Sequence, residues 1–322
     1  LNKNVLHYSS PHIEKFNERI WINGSDVSDE KLNELHTLLL KLLPQNSLEK
    51  LTYFEYTTLL ALACSSGYDY IVLEAGLGGE FDATNVVTND LSLITTIGLD
   101  HVNFLGNTIE KIAKTKMRSV DNSMIIGYQV EESILTYAND VKKAKNGDID
   151  IKLANMNYEL KTLENNMPKY LENNLKLVIE TLKHLNINID LQHFKDLKFK
   201  GRCEKITDNI TIDVGHNPLA ASEIVKEYLP KNKKITLIYN SFEDKDYEKV
   251  LKILKPIIKK VEIITINDKR VVNSNILIQV CDKLNIINSK FKIIDKRQDY
   301  LVFGSFLVVE EFLKIFKEIN EK

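Results

Sequence analysis

Cysteine is scarce in this chain and never paired. Its three cysteines, Cys64, Cys203 and Cys281, lie far apart in sequence. That spacing excludes a disulfide framework and a cysteine zinc site, and it fits a reducing cytoplasm. Long apolar runs are also missing, for none approaches the roughly 20 residues that a membrane helix needs. No secretory leader is seen, and the first residue is Leu1 rather than Met, which reads as a processed or truncated start. Charge of one sign is lacking too. Lys and Arg total 43 against 45 Asp and Glu, a net of −2, so nothing marks a nucleic-acid footprint or a membrane-surface patch. There is no internal repeat or low-complexity tract. What remains is a globular chain of 322 residues, 43% hydrophobic, long enough for about two domains with their own cores.

The stretch from Ile71 to Lys116 organises the rest. Ile71-Val72-Leu73 runs into Glu74 and then into Ala75-Gly76-Leu77-Gly78-Gly79. A short apolar run followed by clustered glycines predicts a buried strand emptying into a tight loop. A second strand, Leu91 to Ile97, ends in Gly98-Leu99-Asp100-His101. As parallel strands of one sheet, the two would deliver Glu74 and His101 to the same edge, where open α/β sheets bind ligands.

Upstream, Val5 to Tyr8 predicts a strand leading into Ser9-Ser10-Pro11-His12, and Asn23-Gly24 predicts a turn. Leu32, Leu35, Leu39 and Leu42 place a helix over 28–43, stopped by Pro44. Thr52 and Glu55 have capping-box spacing. Downstream, a helix is expected from Asn107, its cap, to Met117. Lys116 lies one turn beyond the apolar pair Ile112 and Ala113, and on pattern alone reads as a solvated lysine. A strand over 123–128 and helices over 131–145 and 169–185 follow, and the domain boundary is placed at 196/197. Beyond it strands and helices alternate: strands at 210–213, 234–240, 261–266, 291–294 and 300–303, with helices between. That alternation predicts a second parallel sheet.

These residues carry a resemblance. Ser9-Ser10-Pro11-His12 through Glu18-Arg19-Ile20 is similar to the SPH…ERI segment of folylpolyglutamate synthase/dihydrofolate synthase, a family of the Mur ligase superfamily. Residues Glu74 to Asn85, EAGLGGEFDATN, resemble its E-x-G-L-G-G-x-x-D-A-T-N signature. Asp100-His101, Phe104-Leu105-Gly106 and Ile112-Ala113-x-x-Lys116 resemble its next block. Gly201-Arg202, Asp213-x-x-His216-Asn217-Pro218 and Asp244-Lys245-Asp246 match its second-domain markers. Tyr170-Leu171 stands where the family usually has His-Gln, and Glu80 where an arginine is common.

The resemblance implies an α/β fold in two parts. Residues 1–196 would form a Mur-ligase-like central ATPase and folate-binding domain with a parallel-rich sheet, and residues 197–322 a C-terminal Rossmann-like ligase domain. It implies an ATP- and Mg²⁺-dependent ligase that joins L-glutamate to dihydropteroate or folates through an acyl phosphate, as a cytoplasmic monomer. Glu74, His101 and Lys116 would hold the metal, Lys116 as a carbamate. Arg202, Asp213, His216 and Asn174 would contact the nucleotide, and Ser10, Pro11 and Arg19 would line the pterin side. Without the family, Asp213 and His216 read as a helix N-cap. The glycine-rich phosphate loop of the family is not found, since none of the 12 glycines precedes Lys-Ser or Lys-Thr. The expectation is therefore a chain that lacks an N-terminal strand-loop-helix unit and is inactive as given. The alternatives are another Mur-type amide ligase, or a non-catalytic folate-binding fragment.

Overall fold

The opening hairpin follows from two residues that tolerate left-handed backbone. In the computed structural model, which describes residues 3–160, 167–195 and 197–320, Asn23 and Gly24 take φ of 47° and 112°. Such values suit a tight hairpin turn, so Ile20–Ile22 (β2) folds back on Ser25–Asp26 (β3). On its other side β2 is antiparallel to Val5–Tyr8 (β1). Leu6 and Tyr8 point inward at 0% exposure. The buried Tyr8 hydroxyl is satisfied by Thr57 Oγ1 at 2.7 Å.

Helix α1, Asp29–Leu42, starts where the Ser28 side chain accepts from the Lys31 amide, and Pro44 follows its C-cap, Leu43. Helix α2, Tyr53–Ala63, opens on the expected reciprocal box between Thr52 and Glu55. Leu35 and Leu39 of α1 and Leu60 and Ala61 of α2 pack with Leu6, Tyr8 and Ile20 into one core.

Strand Tyr70–Leu73 (β4) is parallel to β1, in the sheet order β3-β2-β1-β4. It departs from expectation in two ways. Ile71 and Val72, which point to opposite faces of the sheet, are 43% and 48% exposed, and β4 stands at an edge, paired only with β1 among the described residues. Leu91–Ile94 (β5) is not in its sheet but in another, ordered β5-β6-β7, where β6 is Ser123–Ile126 and β7, unforeseen in the sequence, is Asp150–Leu153. The two strands expected in one sheet therefore fall in separate sheets. Strand β5 also stops three residues early. Beyond it Gln129 takes over, accepting from the Ile97 amide at 2.9 Å and donating to the Thr95 carbonyl at 3.0 Å.

Helices α3 (Val102–Leu105), α4 (Ile109–Met117), α5 (Ser133–Ala144) and α6 (Lys169–His184) follow. For α4, Thr108 rather than Asn107 supplies the cap, its Oγ1 accepting from the Lys111 amide at 3.3 Å.

The remaining elements are β8 (Glu204–Thr207), β9 (Ile210–Asp213), α7 (Pro218–Tyr228), β10 (Ile235–Tyr239), α8 (Tyr247–Leu254), β11 (Ile258–Ile263), α9 (Ser274–Lys283), β12 (Asn288–Lys290), β13 (Tyr300–Phe303) and α10 (Phe306–Asn320). They build a sheet ordered β12-β11-β10-β13-β9-β8, parallel except for the β8–β9 pair. All five residues of β10 are buried, as expected for a central parallel strand covered on both faces. Strand β12 lies before the expected 291–294, because its pairing sets Asn288 to Lys290 against Val261 to Ile263.

Contacts divide the chain into two compact units. One comprises Leu1–Ser92, Ala113–Ser123 and Tyr137–Asp150, and the other Leu93–Ile112, Met124–Thr136 and Ile151–Lys322. No helix among the described residues is long and apolar enough to cross a membrane.

Candidate active site

In the first unit, the glycine signature is held by one carboxylate. Asp82 accepts from the Leu77 amide at 2.8 Å, the Thr84 amide at 3.0 Å and the Thr84 hydroxyl at 2.7 Å. The loop then docks on the last turn of α4, where the Glu80 amide donates to the Thr115 carbonyl at 2.9 Å. Gly79 makes this approach possible. A Cβ there would lie 2.8 Å from Ser119 Oγ and 2.9 Å from the Lys116 carbonyl oxygen, closer than real Cβ atoms come. The signature loop and the half-buried Lys116 are thus built against one another. Glu74 leaves the end of β4 exposed to solvent, with one carboxylate oxygen 3.3 Å from the Ser10 amide.

Of the residues expected on the pterin side, Ser10 is half-buried and Pro11 exposed, joined by a cis peptide bond. Arg19 is buried at 6% exposure. Its Nε donates to His12 Nδ1 at 2.9 Å, and its guanidinium lies 5.1 Å from the Tyr53 ring centroid and 6.0 Å from that of Phe16. Cation–π contact of this kind anchors the Ser9–His12 loop to α2.

In the second unit, Asp100 is the hub. Its Oδ1 accepts from the His101 amide at 2.7 Å and from Lys245 Nζ at 2.9 Å, and its Oδ2 accepts from Asn217 Nδ2 at 2.8 Å. That same Oδ2 faces His216 Nε2 at 3.6 Å and His101 Nε2 at 3.9 Å. Lys245 Nζ lies 3.5 and 3.4 Å from the two ring nitrogens of His101, and its side chain is only 7% exposed. His101 takes a left-handed φ of 49° at the start of α3. Three loops meet here, following β5, β9 and β10. Burial opposes the charge on Asp100, but the facing His216 and hydrogen bonds from Lys245 and Asn217 outweigh it and hold the carboxyl well below the usual range. Burial lowers the His101 imidazole by more than the neighbouring Asp100 raises it.

Asp213 is 3% exposed and its carboxylate is engaged within the protein. It accepts from the Tyr170 hydroxyl at 3.0 Å, the Cys203 amide at 2.9 Å and the Gly215 amide at 2.7 Å. Burial, then Asp213, pushes the Tyr170 hydroxyl up, and the same two causes push up the Cys203 thiol. Asp213 and His216 do not cap α7. Asn217 does, its side chain accepting from the Ala220 amide at 2.8 Å. The Arg202 guanidinium lies 5.3 Å from the ring centroid of Phe306, the first residue of α10. Asn174 is exposed on α6, whereas Tyr170 and Asn173 of that helix turn inward.

Sequence reasoning gave no role to Asp100, Lys245, Asn217 or Tyr170. Asp100 and Lys245 stood inside quoted motifs, but their pairing spans 145 residues and no local spacing announces it. The departure of Tyr170 from the family pattern was the one visible signal for that residue.

No family model matches the chain. The glycine loop packed against the Lys116 peptide and, separately, the parallel sheet with charged groups at its strand ends are arrangements that the resemblance to nucleotide-dependent ligases of the Mur type leads one to expect. The dihydrofolate synthase/folylpolyglutamate synthase of Haemophilus influenzae is 30% identical over 359 residues, covering 95% of this chain and 81% of that protein. The crystal structure of Helicobacter pylori folylpolyglutamate synthetase superposes with a TM-score of 0.76 at 36% identity, covering 98% of this chain and 82% of that one. A Yersinia pestis bifunctional folylpolyglutamate synthase/dihydrofolate synthase, complexed with AMPPNP and a Mn ion, has a TM-score of 0.83 at 23% identity and covers 98% and 82%. The chain belongs to the dihydrofolate synthase/folylpolyglutamate synthase family.

Proposed function

We propose that Glu74, His101 and Lys116 are the metal-holding residues of an ATP-dependent ligase that adds L-glutamate to dihydropteroate or folates. The observation that carries this reading is the docking of the Glu74–Asn85 loop on the Lys116 peptide, which only Gly79 permits. The donor chemistry fits Mg²⁺, a hard ion that prefers oxygen. Glu74 offers carboxylate oxygens at a strand end, and Lys116 offers oxygens as its carbamate. Bound Mg²⁺ supplies neutralisation of the charge that gathers on a phosphoryl group in flight.

In the proposed reaction a carboxylate oxygen of the pterin substrate attacks the γ-phosphorus of ATP, ADP leaves, and an acyl phosphate forms. The amine of glutamate then attacks the acyl carbon, loses a proton and expels inorganic phosphate. Arg202, His216 and Asn174 are assigned to the nucleotide. Asp213, wholly engaged by Tyr170, Cys203 and Gly215, serves that site by fixing the loop that carries His216. Ser10, Pro11 and Arg19 are assigned to the pterin side, with Arg19 acting through the loop it anchors. The two halves of the enzyme are taken as residues 1–196 and 197–322, in a cytoplasmic monomer.

The test is turnover of the folded Lys116→Ala protein at saturating Mg²⁺ and ATP. Loss of glutamate ligation that added small carboxylates partly restore is the expected result, and near wild-type turnover would sink the assignment.

A further inference from the structure

We infer that Asp100, His101 and His216 form a site for a borderline divalent cation of the Zn²⁺ or Co²⁺ type, guarded by the Lys245 ammonium and sharing only His101 with the Mg²⁺ set proposed above. One ligand atom from each of the three residues lies within 4.8 Å of the others. Asp100 Oδ2 faces the two Nε2 atoms at 3.6 and 3.9 Å. Tetrahedral zinc bonds of 2.0–2.2 Å would set neighbouring ligands about 3.4 Å apart, so the observed spacing closes onto an ion with small side-chain rotations. The donor set is two nitrogens and one oxygen, which suits borderline ions and not Mg²⁺.

The orientation of His216 supports this. Its Nδ1 lies 3.2 Å from the Val214 carbonyl oxygen, and a carbonyl can only accept, so Nδ1 carries the hydrogen. This is the outer contact that metal-bound imidazoles commonly make, and it aims Nε2 at the carboxylate. Asn217 provides a second outer contact, its amide nitrogen on Asp100 Oδ2 while its oxygen caps α7. Lys245 places a positive charge 2.9 Å from Asp100 Oδ1 and against the His101 ring. It is the built-in competitor that an incoming ion must displace. Where the ligase reading holds, such an ion withdraws His101 from Mg²⁺, making the site an inhibitory one for borderline metals.

The test is titration of the chain with Co²⁺ in excess Mg²⁺, followed by visible absorption. The site predicts one equivalent bound, with the strong ligand-field bands of a nitrogen-ligated ion. The bands should be lost in Asp100→Asn and in His216→Gln, the latter chosen because its amide keeps the volume filled. Asn217→Ala should weaken binding roughly tenfold as an outer contact is lost, and Lys245→Met should tighten it. Circular dichroism confirms that each variant is folded. The inference is overturned if no such bands form in the wild type, if they persist in folded His216→Gln, or if Lys245→Met weakens them. The readout does not involve turnover. Absence of the bands would therefore overturn the metal site while leaving the ligase reading standing, and loss of ligation in Lys116→Ala bears on the ligase reading alone.

Discussion

Lys245 sets its ammonium 2.9 Å from the Asp100 carboxylate, although 145 residues separate the two in sequence. The lysine side chain is 7% exposed and that of the aspartate 25%, so the pair is shielded but not sealed. Removing one partner of a buried pair leaves a charge without compensation, which costs more than the pair itself is worth. Asp100→Asn should therefore destabilise the protein by about 3 kcal/mol. Lys245→Met should cost less, about 1–2 kcal/mol, because Asp100 keeps its bonds from the His101 amide and Asn217. Urea denaturation of the two single variants and the double variant measures both costs, and equal losses in the two singles would contradict this asymmetry.

Gly79→Ala tests whether the glycine signature positions Lys116. The added methyl would meet the Lys116 carbonyl oxygen at 2.9 Å and Ser119 Oγ at 2.8 Å, and backbone cannot move aside as a flexible side chain can. A loss of turnover well beyond what about 2 kcal/mol of destabilisation explains is expected. Turnover that simply tracks the folded fraction would reduce Gly79 to a packing role.

Glu180 gives a pH dependence with a definite sign. Its hydrogen bond from Lys152 lowers its pKa, and burial, which raises it, does not cancel this, since the Tyr158 hydroxyl adds a second bond at 2.8 Å. A folded pKa below the unfolded value of 4.5 means that the contribution is complete above that value and is lost as pH falls through the folded pKa. The stability advantage of wild type over Glu180→Gln should therefore be constant near neutrality and shrink below pH 4.5. An advantage that grows on acidification would reverse the assignment.

Much of this was readable in the sequence where one segment decides its own fate. The cap at Thr52, the Asn23-Gly24 turn and strands β1, β9 and β13 stand where pattern placed them. The placements that failed depend on partners. Strand β4 was expected to be buried because its residues are apolar, yet Ile71 and Val72 are exposed, since burial depends on what packs over the two faces of the sheet. The end of β5 is decided by Gln129, more than 30 residues away. Of the site, the motif residues were legible but the Asp100 hub was not, since it joins loops distant in sequence and only folding makes them neighbours.

The thiols offer a check on the second unit. Burial pushes Cys281 up to about 11 and, with Asp213, raises Cys203 as well. A thiol held protonated is a poor nucleophile. Both should resist thiol reagents at neutral pH in the native protein and react on unfolding. Rapid native labelling of Cys203 would mean that the Tyr170–Asp213 node is open in solution.

The most direct test of the account follows one oxygen atom. The protein is incubated with ATP, Mg²⁺, L-glutamate and dihydropteroate whose carboxylate carries heavy oxygen, and the released inorganic phosphate is examined by mass spectrometry. A ligase that proceeds through an acyl phosphate transfers one labelled oxygen to phosphate for every glutamate joined, and Lys116→Ala abolishes both together. Glutamate joined with unlabelled phosphate would contradict the proposed chemistry, and ligation undiminished in Lys116→Ala would contradict the proposed site.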